Sequence, residues 1–519
     1  MQRRIPIYAL LLSSVSAIIG SGWLFAAFYS SKLAGPASLI SWLLGGMMMI
    51  AIAFVFAELC AMLPITGSST RIPQFTHGTL TSFIFSWAIW LAYAAVPPTE
   101  VQAVLQYSSY FFPSLIHNTD GSLAKEGYFF ATFLMLLITT INIFSLRWLL
   151  HFNSALTILK ILIPLVVGAV ILVNFFSVHA VIHPGDSAFN PMGWHGILAA
   201  ISTGGIVFAF NGFKQACELA GEAKRPSIAL PIAIIGSISI SLVIYMTLQL
   251  GFLSSLNLSS LSRGWQHLDL QGANSPLAAT VLADHLKFLM PLLYTGAIIA
   301  PMAAALMYVS SASRSLYGMS KNQQLPTMFA LLNAEGNPVF AIAVNFVLGM
   351  MMFAPLPGWN SMVSFLASIM AVNYAVGPIN LMALRLQAPH YERPFKLPFA
   401  NIWCVICFYF CTLLIYWCGW DIIFKLIFCI LTGLIVLLIH RTFITNEERT
   451  PLNWRESLWL WFYFAALVLI SYCGNFGGHN LLPAGWDWLL LALTCVITIF
   501  LALRFKLSSA QTYEYLDNL

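Results

Sequence analysis

Ile19-Gly20-Ser21-Gly22 and Phe208-Ala209-Phe210-Asn211-Gly212-Phe213 interrupt two otherwise apolar stretches of this chain. They stand at corresponding places in two successive blocks of hydrophobic segments. Consecutive small residues in the middle of a membrane helix release backbone N–H and C=O groups, which in hydrocarbon are costly unless they face a cavity or a ligand. A matched pair of broken helices is the pattern of a secondary transporter's binding site.

The composition around the two stretches is that of an all-α integral membrane protein. Of 519 residues, 60% are hydrophobic and 8% charged, and the mean hydropathy is +0.84, far from the soluble range. The net charge of +5 is spread over short loops, so no nucleic-acid-binding patch forms. A spanning helix needs about 20 apolar residues. By that rule fourteen segments qualify, at 7–30, 37–63, 80–112, 128–146, 150–176, 195–219, 228–253, 288–317, 338–355, 360–386, 399–419, 421–441, 456–473 and 485–505. The first follows Arg3 and Arg4 but is too long and too rich in serine for a signal peptide, and reads as an uncleaved span.

An even number of spans puts both termini on one side. With that side taken as the cytoplasm, sixteen of the 23 lysines and arginines fall in inner loops and ends. Only Lys32, Lys125, Arg263 and Lys287 fall outside, while Lys160, Lys214 and Lys425 lie in or at the edge of spans. This is the positive-inside bias. The first ten spans form two blocks of five, 1–180 and 181–390, each with a break in its opening span. Odd parity inverts the second block relative to the first, giving a five-plus-five inverted repeat. Residues 391–519 add four spans poor in ionisable groups, which look peripheral, and a short tail.

The first break offers the N–H groups of Ser21, Gly22 and Trp23 at the positive end of a half-helix, a setting for a carboxylate. The carbonyls freed near Ala17 to Ile19 suit an ammonium or a metal cation. The ends around Phe208, Ala209, Phe210, Asn211 and Gly212 repeat the pair. One ligand carrying ammonium and carboxylate on the same carbon, an α-amino acid, satisfies both sets. The bland alternative is a small-residue packing seam.

Four ionisable groups stand out. Lys160 is mid-span with no acidic residue within a turn; it either faces the interior as a proton-coupling site or snorkels to the inner interface. Lys214 follows the second break by one turn, with Glu218 four residues on. It makes an intrahelical pair, or points into the cavity as a selectivity residue for a side-chain carboxylate. Glu100, after Pro97-Pro98, pairs with a buried lysine, lines the access path or caps a proline-bent turn. Trp87, Trp90 and Tyr93 form a helical stripe that reads as packing, whereas Phe208 and Phe210 are placed to cover a ligand. The nine cysteines are an odd number lying in apolar runs, so no disulfide framework is expected. Cys404, Cys407 and Cys411 read as small hydrophobes rather than metal ligands. His179, His183 and His195 show no ligand geometry, and no nucleotide-binding loop or hydrolase elbow appears. These features argue against a nucleotide-driven pump, and no carboxylate or histidine cluster at a membrane face stands out for a membrane transferase; a channel or a transporter-like sensor stays open.

Several stretches together resemble the amino acid–polyamine–organocation superfamily of permeases. They are Ile19-Gly20-Ser21-Gly22, Ala57-Glu58-Leu59 with Pro64-Ile65-Thr66-Gly67, Phe208 to Phe213 continuing through Gly221-Glu222-Ala223-Lys224-Arg225-Pro226, Arg314-Ser315-Leu316-Tyr317-Gly318-Met319, and Arg393-Pro394-Phe395-Lys396-Leu397-Pro398. In order they cover roughly the first 400 residues. The resemblance implies a LeuT-like fold with substrate between the unwound parts of spans 1 and 6, and a place for Lys160 where other members hold sodium. It points to the bacterial branch that includes aspartate–proton symporters. The charge of Lys214 and four extra spans instead of two depart from the family pattern. The reading is an inner-membrane, proton-coupled amino acid transporter with no cofactor beyond its coupling ion. An exchanger, or a sodium symporter using Ser310 or Ser311, is the alternative.

Overall fold

A computed structural model describes residues 5–65, 67–117, 121–144, 146–177, 188–256, 261–268, 270, 274–283, 286–443, 450–483 and 485–517. Arg3, Arg4, Thr66, His179 and His183 lie outside the described residues. The elements are helical: α1 Ile7–Ile18, α2 Gly22–Ala34, α3 Ser38–Met62, α4 Ser68–Ser108, α5 Lys125–Phe144, α6 Leu146–Phe175, α7 Gly193–Thr203, α8 Ile206–Ala209, α9 Gln215–Glu218 and α10 Pro226–Ser254. They continue with α11 Pro276–Ala283, α12 Met290–Lys321, α13 Val339–Met352, α14 Gly358–Gln387, α15 Ala400–Tyr416, α16 Trp420–Thr442, α17 Leu458–Cys473, α18 Trp486–Phe505 and α19 Ser509–Asp517.

Among the described residues, ten stretches are long and apolar enough to cross a membrane, and four shorter apolar helices accompany them. One stretch, Gly22–Met62, holds both α2 and α3, joined by a tight turn at Gly35-Pro36-Ala37. With α1 and α2 as halves of one pass, and α7 and α8 of another, the fourteen passes fall where hydropathy puts them, within a few residues. The exception is the third. It begins at Ser68 rather than 80 and ends at Ser108, because the polar run Ser68 to His77 winds helically although it is too hydrophilic to score as membrane.

Burial sorts the helices. The most apolar window of α14 is 100% buried and that of α4 is 94%, against 28% for α16. α12 and α14 pack along α4, α10 packs on α3 and α6, and α1 lies against α10. Phe424, Phe428, Leu489 and Phe500 of the last helices are exposed, as lipid-facing side chains are.

The last four helices are nevertheless more than a periphery. At Gly78 (φ +80) α4 kinks, and the backbone groups freed there find partners in the C-terminal part. Leu80 N–H donates to Leu452 O at 3.1 Å, and Leu507 N–H to Thr76 O at 2.9 Å. Thr79 N–H donates to Asn453 Oδ1 at 3.2 Å, and the Thr512 hydroxyl to Phe75 O at 2.9 Å. A Cβ at Gly78 would stand 2.4 Å from the Asn453 carboxamide. All nine cysteines are free thiols.

Candidate functional site

α1 stops at Ile18 and α2 starts at Gly22, leaving Ile19, Gly20 and Ser21 between the half-helices. Gly22 and Trp23 open the first turn of α2, so their N–H groups stand at a helix start. The second break is longer than its sequence pattern. α7 ends at Thr203, Gly204 and Gly205 (φ +90) interrupt it, and Phe208 and Ala209 belong to the single turn α8 rather than to unwound chain. Phe210, Asn211 and Gly212 (φ +124) then lead through Phe213 and Lys214 to α9.

The two breaks touch. A Cβ at Gly22 would lie 3.0 Å from the Ala209 Cβ, and one at Gly212 would fall 2.4 Å from the Ala17 carbonyl carbon. Both glycines are required by backbone approach; Gly212 is also held at a φ that other residues rarely adopt.

Side chains from four surrounding helices grip the first break. Lys160 of α6, 1% exposed, donates from Nζ to Ser16 O at 2.5 Å and lies 3.4 Å from Ser16 Oγ. Tyr245 of α10 donates to Ile18 O at 3.3 Å. Trp359 of α14 donates from Nε1 to Ser21 Oγ at 2.8 Å, and Tyr107 of α4 donates to Leu24 O at 3.0 Å. Glu100, also of α4 and 1% exposed, packs so closely that a Cβ at Gly20 would be 2.3 Å from its Oε1. The Ser21 hydroxyl and N–H lie against the Glu100 carboxyl, which is near enough to Lys160 to interact electrostatically. Its Oε2 has no hydrogen-bond partner.

Aromatic rings close the region. Trp359 stacks on Phe25 at 4.8 Å and on Tyr29 at 5.6 Å, and Phe208 meets Trp359 edge-on at 5.8 Å. Phe210, in contrast, sits between Trp42 and Tyr245, each 5.7 Å away. Of the two phenylalanines expected over a ligand, only Phe208 thus meets the Trp359 cluster.

Beyond the second break lies a cavity of about 10 Å³, lined among others by Tyr93, Asn211, Gly212, Lys214, Tyr308 and Asn373. That is room for about one water, so an amino acid fits only if helices move apart. Lys214 Nζ is 3.4 Å from Asn373 O and sits over the Phe56 ring at 4.9 Å and the Tyr374 ring at 5.7 Å. Glu218 acts on it electrostatically and accepts from Tyr93 Oη at 3.3 Å. Asn211 Oδ1 accepts from Tyr374 Oη at 3.2 Å. Both polar atoms of the Asn373 carboxamide, 1% exposed, have no hydrogen-bond partner. Lys214 therefore joins the cavity and keeps Glu218 nearby; the two sequence alternatives are compatible. Trp87 and Trp90 donate to Cys429 O and Asn345 Oδ1 as packing residues, while Tyr93 of the same stripe lines the cavity.

Trp359, Tyr107, Tyr245 and Asn373 have no local sequence signature and escape sequence reading. Gly204-Gly205 carried a legible one, two adjacent glycines in an apolar span.

The family described as amino acid permease matches residues 7–417. The glutamate/serine transporter AimA of Bacillus subtilis (strain 168) is 34% identical over 529 aligned positions, covering 100% of this chain and 96% of the relative. The aspartate-proton symporter of the same organism is 31% identical, covering 95% and 94%. Its branched-chain amino acid permease BcaP is 24% identical, covering 87% and 95%.

Proposed function

The chain belongs to the amino acid permease family and is a multi-pass amino acid transporter, not an enzyme, and from that premise we propose a proton-coupled symporter working by alternating access. Residues 1–180 and 181–390 are its two inverted repeats, and 391–519 the added helices and tail. The N–H groups of Ser21, Gly22 and Trp23 take the substrate carboxylate, Ser21 N–H doing so once the Glu100 carboxyl that lies against it withdraws. The substrate ammonium is held by carbonyls at Ile19 and at Phe210 and Asn211, past the turn in which Phe208 O accepts from Asn211 N–H, with Gly20 and Gly212 allowing the backbones to approach.

The contact of the Lys160 ammonium with Ser16 O carries this reading. It ties the first half-helix to α6 by a charge-assisted bond, and a lysine that gives up its proton loosens that tie. Glu100, on the opposite side of the break, is the countercharge. Sodium would have to take up the helix 1 carbonyls beside a charged Lys160; two unit charges about 4 Å apart repel by about 4 kcal/mol at an effective dielectric of 20. The proton is thus the coupling ion.

Lys214 and Asn373 favour a side-chain carboxylate, so the substrate class is acidic amino acids. Relatives named for glutamate/serine and for aspartate transport support this. The lysine and arginine bias supports an inner-membrane protein with both termini cytoplasmic.

Uptake of a radiolabelled amino acid panel into proteoliposomes, with an inward proton gradient, a sodium gradient or neither, tests the proposal. Stimulation of aspartate or glutamate uptake by the proton gradient alone is expected. Movement only into preloaded liposomes would identify an exchanger, and stimulation by sodium alone would remove Lys160 from coupling.

A further inference from the structure

The turn between α14 and α15, Arg393-Pro394-Phe395-Lys396-Leu397-Pro398, carries charge that the transport site does not use. Its foundation is Glu58 of α3, fully buried. Arg385 donates to its two carboxylate oxygens at 3.0 and 2.7 Å, Leu397 N–H donates at 2.7 Å, and Arg393 Nε stands 3.8 Å off.

Beside this anchor opens a crevice of about 320 Å³. Arg385, Arg393, Lys396 and Asn401 form its polar side, and Met382 and Leu386 its apolar side; none of its lining residues is acidic. Arg385 and Arg393 thus meet one carboxylate, which is sealed beneath them, and with Lys396 in the lining a positive surplus remains at the crevice. Arg393 spends Nη1 and Nη2 on the carbonyls of Pro389, Tyr391, Leu384 and Ala388, with Nε turned to Glu58, so it lends the crevice charge rather than donors. Lys396 is exposed, and no ion pair holds it among the described residues.

The rim has an uncovered apolar side chain in Leu386, 56% exposed, and Ile402 and Phe399, within two residues of Asn401 along the chain, are 64% and 83% exposed. In a membrane-spanning chain such side chains meet lipid. A water-facing salt site would have no use for that rim, whereas a phospholipid presents anionic oxygens at the depth where its acyl chains begin. Guanidinium and ammonium groups converging between transmembrane helices are suited to such oxygens.

We propose that this crevice binds the phosphate of an anionic phospholipid of the cytoplasmic leaflet. Lys396 holds the headgroup in the field of Arg385 and Arg393, and Leu386 flanks an acyl chain. The inference rests on the orientation reading for the leaflet, though not on the identity of the amino acid carried. A lipid seated there braces the α14–α15 turn against the Glu58 anchor, and so joins the surrounding bilayer to α3 and α14.

Native mass spectrometry of the full chain, reconstituted in phosphatidylcholine vesicles with or without phosphatidylglycerol, tests this. Wild-type protein should retain phosphatidylglycerol in preference to phosphatidylcholine. Lys396→Gln should lower that retention about fivefold, and Lys396→Glu further. Lys287→Gln, at an exposed lysine of another loop, should leave it unchanged. Melting in phosphatidylcholine alone, equal for wild type and the Lys396 variants, establishes that they fold. No preference in the wild type, or equal retention in folded Lys396→Glu, would overturn the proposal. Displacement of phosphatidylglycerol by millimolar inorganic phosphate would reassign the crevice to free phosphate. Thiol labelling of Lys396→Cys from the extracellular side alone would overturn the leaflet assignment while leaving the binding result standing.

Discussion

The two breaks are held in their irregular courses by different means. Between Ile18 and Gly22 the chain is unwound for three positions, and groups on α4, α6, α10 and α14 hold it in place. From Gly204 to Lys214 the chain is irregular over a longer stretch, with a single helical turn inside it, and its course is set by its own glycines at φ +90 and +124. The first break therefore reads the state of its surroundings: a change of charge or position on α6 reaches it through one hydrogen bond. The second is a shaped piece of backbone that its neighbours cannot easily reset. The coupling proposed above is placed with the first, and the proposed side-chain selection with the second.

If that division is right, the largest effect comes from backbone change in the second break. Gly212→Ala meets both an unfavourable φ and the Ala17 backbone 2.4 Å away, a cost of about 3 kcal/mol or more. Uptake at background level, with a lowered melting temperature, is expected; wild-type uptake would break the comparison. Lys160→Gln should leave the protein folded and still able to move substrate down its own gradient, yet erase stimulation by an imposed pH gradient, and flux assays at equal and unequal pH read the two apart. Persisting stimulation would take coupling away from the first break.

Selectivity comes next. Lys214→Ala should cut the preference for aspartate over neutral amino acids by about tenfold to a hundredfold, as competition against labelled substrate measures. An unaltered preference would confine Lys214 to its partnership with Glu218. The smallest effect is that of Trp359→Phe, which keeps the ring stack but loses the bond to Ser21 Oγ. A loss of about 1 kcal/mol, seen as a modest drop in melting temperature with coupling intact, would mark Trp359 as a clamp rather than a gate.

Much of the architecture was legible because hydrocarbon imposes a length and an apolar composition on every pass, and because Gly20, Gly22 and Gly212 violate it where they stand. Lys160 was legible for the same reason, as a charge in an apolar run. The start of α4 was not, since Ser68 to His77 is helical by packing rather than by hydropathy. Trp359 and Asn373 were illegible because an indole or a carboxamide acquires its role only when α14 is laid against the breaks, at a sequence distance no local pattern spans. The supposed isolation of the last four helices failed on one glycine: the kink at Gly78 creates backbone needs that Leu452, Asn453 and Leu507 meet.

That glycine sets a rule for anyone wishing to build a smaller permease from this one. The family match ends at residue 417, and cutting there looks like a clean excision of ornament. It would leave the N–H groups of Thr79 and Leu80 without the Asn453 and Leu452 acceptors, and Thr76 O with Gln387 alone. A minimal version must first straighten that pass, by redesigning residues 73 to 81 as an unbroken helix, before the tail is dispensable. The extra helices are, in this sense, a splint that the kink has made permanent.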